Sequence, residues 1–262
     1  MNAPDTQLRK TTIVTAESKE RYGEHYATGY DERRFTTTEG AFAQRFEEEL
    51  FARMLHAHGV RTVLDAPVGT GRMAIPLAGQ FTITGADISP AMLSSARARA
   101  KTDGVDNLTW VECSVDRLPF PDGQFDAVLT ARLFQHVPKQ MAHAIVCELS
   151  RVVKPDGVLV VQFRSGLFGV VLKFLRYYVI RKTGNIRHKC IFPDQVQEYF
   201  KGHEIVARFG YKFPVSGRAA RVLGYGTVAA IERALANTPG IRWFGKYMTF
   251  VVRRRPAGSV AH

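Results

Sequence analysis

The residues of this chain that could do chemistry cluster around one short turn. The run Val63-Leu64-Asp65 ends on a carboxylate, and Ala66-Pro67-Val68-Gly69-Thr70-Gly71 follows before Arg72 opens a predicted helix. Gly69 and Gly71 free the backbone to take positive φ and leave no Cβ to obstruct a ligand. Amides left unpaired at the start of a helix point outward and favour a polar or anionic group. A nucleotide-type cofactor at the carboxyl end of a first strand is the chemistry such a turn serves. Asp87 lies about 20 residues on, at the distance of a ribose ligand.

Two cofactor classes fit the turn by itself. Gly69-Thr70-Gly71-Arg72-Met73-Ala74 satisfies the G-x-G-x-x-G/A pattern of dinucleotide folds, so NAD is an alternative. Asp65 argues the other way, since a carboxylate there repels a pyrophosphate and holds the cationic amine of an amino acid. About sixty residues also precede the strand, whereas dinucleotide folds often begin with it.

The elements that must position these residues alternate. Strands are expected over 62–66, 81–87, 108–113, 125–130 and 157–163, with helices over 72–78, 90–101 and 140–151. Ser89 suits the N-cap of the second of these helices, with Pro90 at its first position. Asp122-Gly123 and Lys154-Pro155-Asp156-Gly157 read as turns before the fourth and fifth strands. Ahead of the alternation, apolar residues from Phe42 to Leu55 recur at helical spacing and Gly59 stops the helix. Tyr22, Tyr26 and Tyr30 share one face of an earlier helix, where Tyr30 is a candidate for the mouth of the cofactor site. Later come a short helix over 193–199, a sixth strand over 204–211, one helix over about 218–236 and a seventh strand over 246–252. Strand–helix alternation of this kind gives a parallel sheet with helices on both faces.

Four ordered segments resemble the landmarks of class I S-adenosylmethionine-dependent methyltransferases. Leu64-Asp65-Ala66-Pro67-Val68-Gly69-Thr70-Gly71-Arg72 is similar to the family's glycine-rich first motif, and the segment from Gly85 to Leu93 to its second. Leu118-Pro119-Phe120-Pro121-Asp122-Gly123 and Leu149 to Gly157 resemble the later ones. The resemblance covers roughly residues 60–163. It implies an α/β, Rossmann-like fold: a seven-stranded, mostly parallel sheet with helices on both faces and the last strand antiparallel. Residue by residue, it implies that Asp65, Ala66, Pro67, Gly69 and Gly71 cradle the methionine end of the cofactor and Asp87 holds the ribose. It sets Ile88 against the adenine, Ser114 and the Val115 amide at the adenine edge, and Ala131 at the end of the fourth strand. Pro67 replaces the family's first glycine, and Ser114 stands where an aspartate is usual, with Asp116 as a second candidate for that role.

Methyl transfer from a sulfonium asks the enzyme chiefly to align the acceptor and to remove a proton where the acceptor needs it. After the fourth strand, His136 has the pKa of a general base, or packs its loop, and Arg132 could contact an anionic substrate group or the cofactor. The Asn-Pro-Pro-Tyr and Pro-Cys motifs of nucleobase methylation are not found there, and metal-ligand spacing is not apparent.

Charge is divided along the chain. Residues 1–150 carry 16 Lys/Arg against 19 Asp/Glu, and residues 151–262 carry 20 against 5, within a total of +12. A basic half attracts anions, whether a small acidic molecule, a membrane face or nucleic acid. Residues 1–20 read as a flexible terminus, 21–59 as a helical cover and 60–163 as the cofactor-binding core. The stretch 164–262 continues that domain, with substrate-side insertions over about 164–192 and 214–243. The first of these is apolar, aromatic and basic, and its segment 167–182 suits a lid or an interfacial helix. Three scattered cysteines and no stretch of about 20 apolar residues fit a reducing, cytoplasmic setting with at most peripheral membrane contact. The expected function is O- or C-methylation of a largely apolar small molecule or lipid-like metabolite, for which an anionic group is compatible. An RNA methyltransferase and a non-catalytic cofactor-binding scaffold are the alternatives.

Overall fold

A computed structural model describes residues 37–134, 137, 139–167, 193–213 and 216–255. The expected helix containing Tyr30, the residue His136 and most of the basic segment 167–182 lie outside these described residues.

Seven strands form one sheet: β1 (Thr62–Asp65), β2 (Thr82–Asp87), β3 (Leu108–Glu112), β4 (Phe125–Ala131), β5 (Val153–Arg164), β6 (His203–Tyr211) and β7 (Tyr247–Arg254). Their order is β3-β2-β1-β4-β5-β7-β6. The first five strands pair in parallel, and β7 runs antiparallel between β5 and β6. Order reverses between β1 and β4, so a crevice opens outside the carboxyl ends of those two strands. The central strands are apolar on both faces, as a sheet covered on both sides requires. Val63, Leu64, Val128, Leu129, Val160 and Val161 are fully buried.

Helix α1 (Thr38–Ala57) begins at Thr37, whose hydroxyl accepts from the Gly40 amide at 3.0 Å. It packs Phe46, Phe51 and Leu55 onto one face of the sheet, together with the single turn α2 (Ala74–Leu77) and with α3 (Pro90–Thr102). The α3 cap is the expected one, with Ser89 Oγ accepting from the Met92 amide at 3.2 Å and Pro90 in the first turn. The opposite face is covered by α4 (Lys139–Arg151) and α5 (Pro193–Tyr199), with Ile145, Val146 and Leu149 of α4 fully buried. Burial of each such side chain is worth roughly 1.5–3 kcal/mol.

Three local expectations change. The helix expected over 72–78 shortens to one turn, because the chain from Thr70 to Met73 is still turning. Lys154 to Gly157 is not a turn ahead of a strand but lies within β5, whose pairing with β4 shifts register between Phe125 and Ala127. The single helix over 218–236 is two, α6 (Ser216–Leu223) and α7 (Tyr225–Asn237). Gly224 separates them at φ 78, ψ 154, values that an α-helix cannot hold.

Candidate active site

The glycine turn is built by backbone bonds from its neighbours. The Ala66 amide donates to the Leu129 carbonyl at 3.0 Å and the Val68 amide to the Ala86 carbonyl at 2.8 Å, fixing the turn to β4 and β2. The Ala66–Pro67 peptide bond is cis. Gly69 (φ 56) and Gly71 (φ 74) both occupy the left-handed region. They differ in what surrounds them. A Cβ on Gly69 would project into open space, whereas one on Gly71 would lie 2.7 Å from Ile75 Cδ1. Gly69 thus keeps a surface bare, and Gly71 lets the chain pack against its own helix.

Asp87 ends β2 and closes the turn from the other side. Its Oδ2 accepts from the Gly69 amide at 2.8 Å and its Oδ1 from the Ser89 amide at 2.9 Å. Burial raises its pKa, against the amides of Ser89, Gly69 and Ile88, which favour the charge. Asp65 is 2% exposed and accepts from the Ala74 amide. Burial pushes it up to about 8, with Arg72 acting downward and Asp87 adding to the rise. A carboxyl in this state is primed to take a cationic partner, because only an added positive charge makes its ionised form favourable.

One cavity brings most of the expected residues together. Asp65, Pro67, Gly69, Asp87, Ile88, Ser114, Val115, Ala131 and Arg132 all line it, with Ser114 beside the β2 end and Ala131 across β1 from it. Ala66 and Gly71 stand behind the wall and shape the turn. Asp116 does not line the cavity, which leaves Ser114 as the polar group at that corner. The Ser114 hydroxyl is buried with no hydrogen-bond partner in the protein. A buried hydroxyl without a partner is costly, and a ligand edge carrying a donor or acceptor would satisfy it. Asp65 with the bare surface at Gly69, then Asp87, then the unsatisfied Ser114 fit in turn the methionine, ribose and adenine parts of S-adenosylmethionine. Among the described residues no group of three His, Cys, Asp or Glu could hold a metal ion.

A polar network under the cavity was not legible in the sequence motifs. Glu47 of α1, 1% exposed, accepts from Arg72 Nη1 at 2.8 Å and Nη2 at 3.0 Å, from Arg132 Nη2 at 3.3 Å and from Gln162 Nε2 at 2.6 Å. Gln162 also bonds the hydroxyl of fully buried Tyr211. Burial works to raise the Glu47 pKa, but Arg72 and Arg132 outweigh it and hold the carboxyl down at about 2. Arg132, expected as a contact to substrate or cofactor, is thus also tied into the interior; it sits at φ 63 with its guanidinium 5.2 Å from the centre of the Tyr247 ring. A non-glycine residue in that region is strained, and such strain concentrates at functional sites. One signal did point to Glu47. It falls among Ala43, Leu50, Phe51 and Met54 on the buried stripe of α1, where a carboxylate must find partners.

Comparison with known proteins bears on the family and the fold. Residues 63–157 match the family model described as "Methyltransferase domain". The chain is 38% identical over 135 residues to the demethylmenaquinone methyltransferase of Deinococcus radiodurans, covering 49% of this chain and 55% of that protein. It therefore spans about half the length of the relative it matches there. An uncharacterised protein of Mycobacterium tuberculosis H37Rv is 32% identical over 218 residues, covering 76% of this chain and 77% of the relative. In fold, the chain is similar to magnesium protoporphyrin IX methyltransferase of Synechocystis PCC 6803 with bound S-adenosylhomocysteine. The TM-score is 0.61 at 17% identity, covering 88% of this chain and 98% of that one. Strand order, the glycine turn between two buried aspartates and these likenesses together show that the chain belongs to the class I S-adenosylmethionine-dependent methyltransferases.

Proposed function

We propose that this protein transfers a methyl group from S-adenosylmethionine to an oxygen or carbon of a largely apolar small molecule or lipid-like metabolite. The observation that carries the reading is the convergence of Asp65, Gly69, Asp87 and Ser114 on one cavity at the point where strand order reverses. In this reading Asp65 holds the amine and the backbone at Gly69 lies along the methionine chain. Asp87 keeps lone pairs for the ribose hydroxyls beyond those spent on Gly69 and Ser89. Ile88 lies against the adenine, while the Ser114 hydroxyl and the Val115 amide meet its edge.

When bound, S-adenosylmethionine supplies a methyl group on a sulfonium, a leaving group already activated. The protein's task is to aim an acceptor along the line of that bond and to take its proton. His136, in the segment after β4, is the proposed base, outside the described residues. Leu133, Val137 and Met73 give the cavity an apolar wall that suits an apolar acceptor. The relative named for demethylmenaquinone supports an acceptor of that kind. Among the described residues no helix is long and apolar enough to cross a membrane.

The test is calorimetry with S-adenosylhomocysteine and NADH, followed by incubation with methyl-labelled cofactor and separated lipid, polar-metabolite and RNA fractions. Binding of S-adenosylhomocysteine alone, with label in the lipid fraction, is the expected result. Label in RNA, or tight NADH binding, would overturn it.

A further inference from the structure

Three strands of the sheet carry cations at the edge on which the cavity opens, outside the cavity lining itself. Arg164 is the last residue of β5, Lys212 follows Tyr211 at the end of β6, and Lys246 precedes Tyr247 at the start of antiparallel β7. Arg164 and Tyr211 both pair with Tyr247, so the three cations share one edge of the sheet. The backbone ties them further, since the Lys246 amide donates to the Lys212 carbonyl at 3.2 Å and the Ser165 amide to the Lys246 carbonyl at 3.0 Å. Arg132 joins them from the end of β4. Its guanidinium lies 5.2 Å and the Lys246 ammonium 5.8 Å from the centre of the Tyr247 ring. All four cations are half-buried.

Of the four, Arg132 alone has a carboxylate partner among the described residues. Glu47 is committed to Arg72 and Arg132, and among the described residues no carboxylate forms an ion pair with Arg164, Lys212 or Lys246. The Arg164 Nε is buried without a hydrogen-bond partner. Burial lowers the Lys246 pKa and Lys212, Arg164 and Arg132 lower it further, with the neighbouring Tyr247 phenol acting upward. Gathering like charges in a partly desolvated place disfavours the folded state, and a bound anion reverses that sign. The cluster flanks the side of the cavity away from Asp87, at the carboxyl edge where ligands of such sheets bind.

We infer that Arg132, Arg164, Lys212 and Lys246 form an oxyanion subsite that receives a carboxylate or phosphate group of the acceptor and sets which apolar molecules are methylated. This rests on the reading of the neighbouring cavity wall as the acceptor side. Arg132 links the two regions, since one side chain borders both the cavity and the cluster.

The experiment measures binding of decanoate, decyl phosphate and decanol to the full chain saturated with S-adenosylhomocysteine, for the wild type and the double variant R164Q/K246M. Both anionic probes are expected to bind at least tenfold more tightly than decanol at low salt, and to lose that advantage in the variant or at high salt. A larger advantage for decyl phosphate assigns the subsite to phosphates, and a larger one for decanoate to carboxylates; both support it. The S-adenosylhomocysteine affinity is expected to stay within twofold. A melting temperature equal to or above that of the wild type would show the variant folded and relieved of repulsion. Should the variant fail to fold, K212A alone is read the same way. Equal binding of all three probes overturns the subsite and leaves an apolar acceptor standing. No binding of any probe overturns both, and a large loss of S-adenosylhomocysteine affinity reassigns the cluster to the cofactor and overturns the inference.

Discussion

Glu47 and Arg72 form a two-pronged buried ion pair, at 2.8 and 3.0 Å, that bolts helix α1 to the residue closing the glycine turn. The same carboxylate reaches Arg132 beyond β4 and Gln162 within β5, so one side chain of the N-terminal helix braces three elements of the cavity floor. Removing one member of a buried pair costs about 3–5 kcal/mol, because its partner is left charged and dry. Glu47→Gln is therefore expected to lower stability in urea by about that amount and to weaken cofactor binding. Because the folded pKa of Glu47 lies near 2, below its usual value of 4.5, its stabilisation is full above about pH 5 and fades as pH falls toward 2. The difference between wild type and variant should shrink over that window. An equal difference at pH 7 and pH 3 would count against the ion pair.

Asp65 leads to the opposite sign. Its pKa of about 8 means that the folded protein without ligand holds a proton there at neutral pH. Stability contributed by this group is present at low pH and declines as pH rises from about 4 through 8. A cationic amine binding beside it should expel the proton. Calorimetry at pH 7 in buffers of different ionisation enthalpy is expected to show release of close to one proton per cofactor bound. Asp65→Asn should abolish that release, weaken binding roughly a hundredfold (about 3 kcal/mol for a charge-assisted contact) and remove the decline in stability. Buffer-independent binding heats for the wild type would contradict this account.

Ser114→Ala separates a ligand contact from a structural one. The hydroxyl has no partner in the protein, so its removal should leave the melting temperature unchanged or slightly higher. Cofactor affinity is expected to fall about fivefold, the worth of one neutral hydrogen bond of roughly 1 kcal/mol. A drop in stability with unchanged affinity would make Ser114 structural.

The two turn glycines should respond differently to alanine. Gly69→Ala meets open space and carries only the left-handed backbone penalty, about 1–2 kcal/mol, yet puts a methyl group on the ligand surface. It is expected to fold and to lose cofactor binding. Gly71→Ala carries the same penalty and a collision with Ile75, so thermal unfolding should show the larger destabilisation. Equal melting temperatures with equal affinities would refute the division of roles.

His136→Ala is expected to cut turnover at least a hundredfold with S-adenosylhomocysteine affinity unchanged, if the acceptor must lose a proton to this side chain. An unaltered rate would leave His136 with a packing role.

Much of this protein follows from sequence by itself. The apolar runs, Ser89 and Pro90 at a helix start, and the placement of Asp65 and Asp87 depend on neighbours a few residues away, where local physics decides. The seven-stranded sheet with an antiparallel last strand followed from the landmarks, whereas the order of strands is read from the structure. Helix breaks were less legible: helical periodicity runs through residues 218–236, yet the structure breaks it at Gly224, with α6 packed on α1 and α7 on β6. Gln162 and Tyr211 carry no local mark either, sitting in apolar strands as any core residue would. Their meaning arises only when α1 sets Glu47 above them, 115 residues from Gln162 in the chain. Sequence determined the glycine turn and the family, because both are written in contiguous residues. Tertiary structure decided what braces the turn and which cations gather beside it, because charges distant in sequence interact only once the sheet has brought its strand ends together.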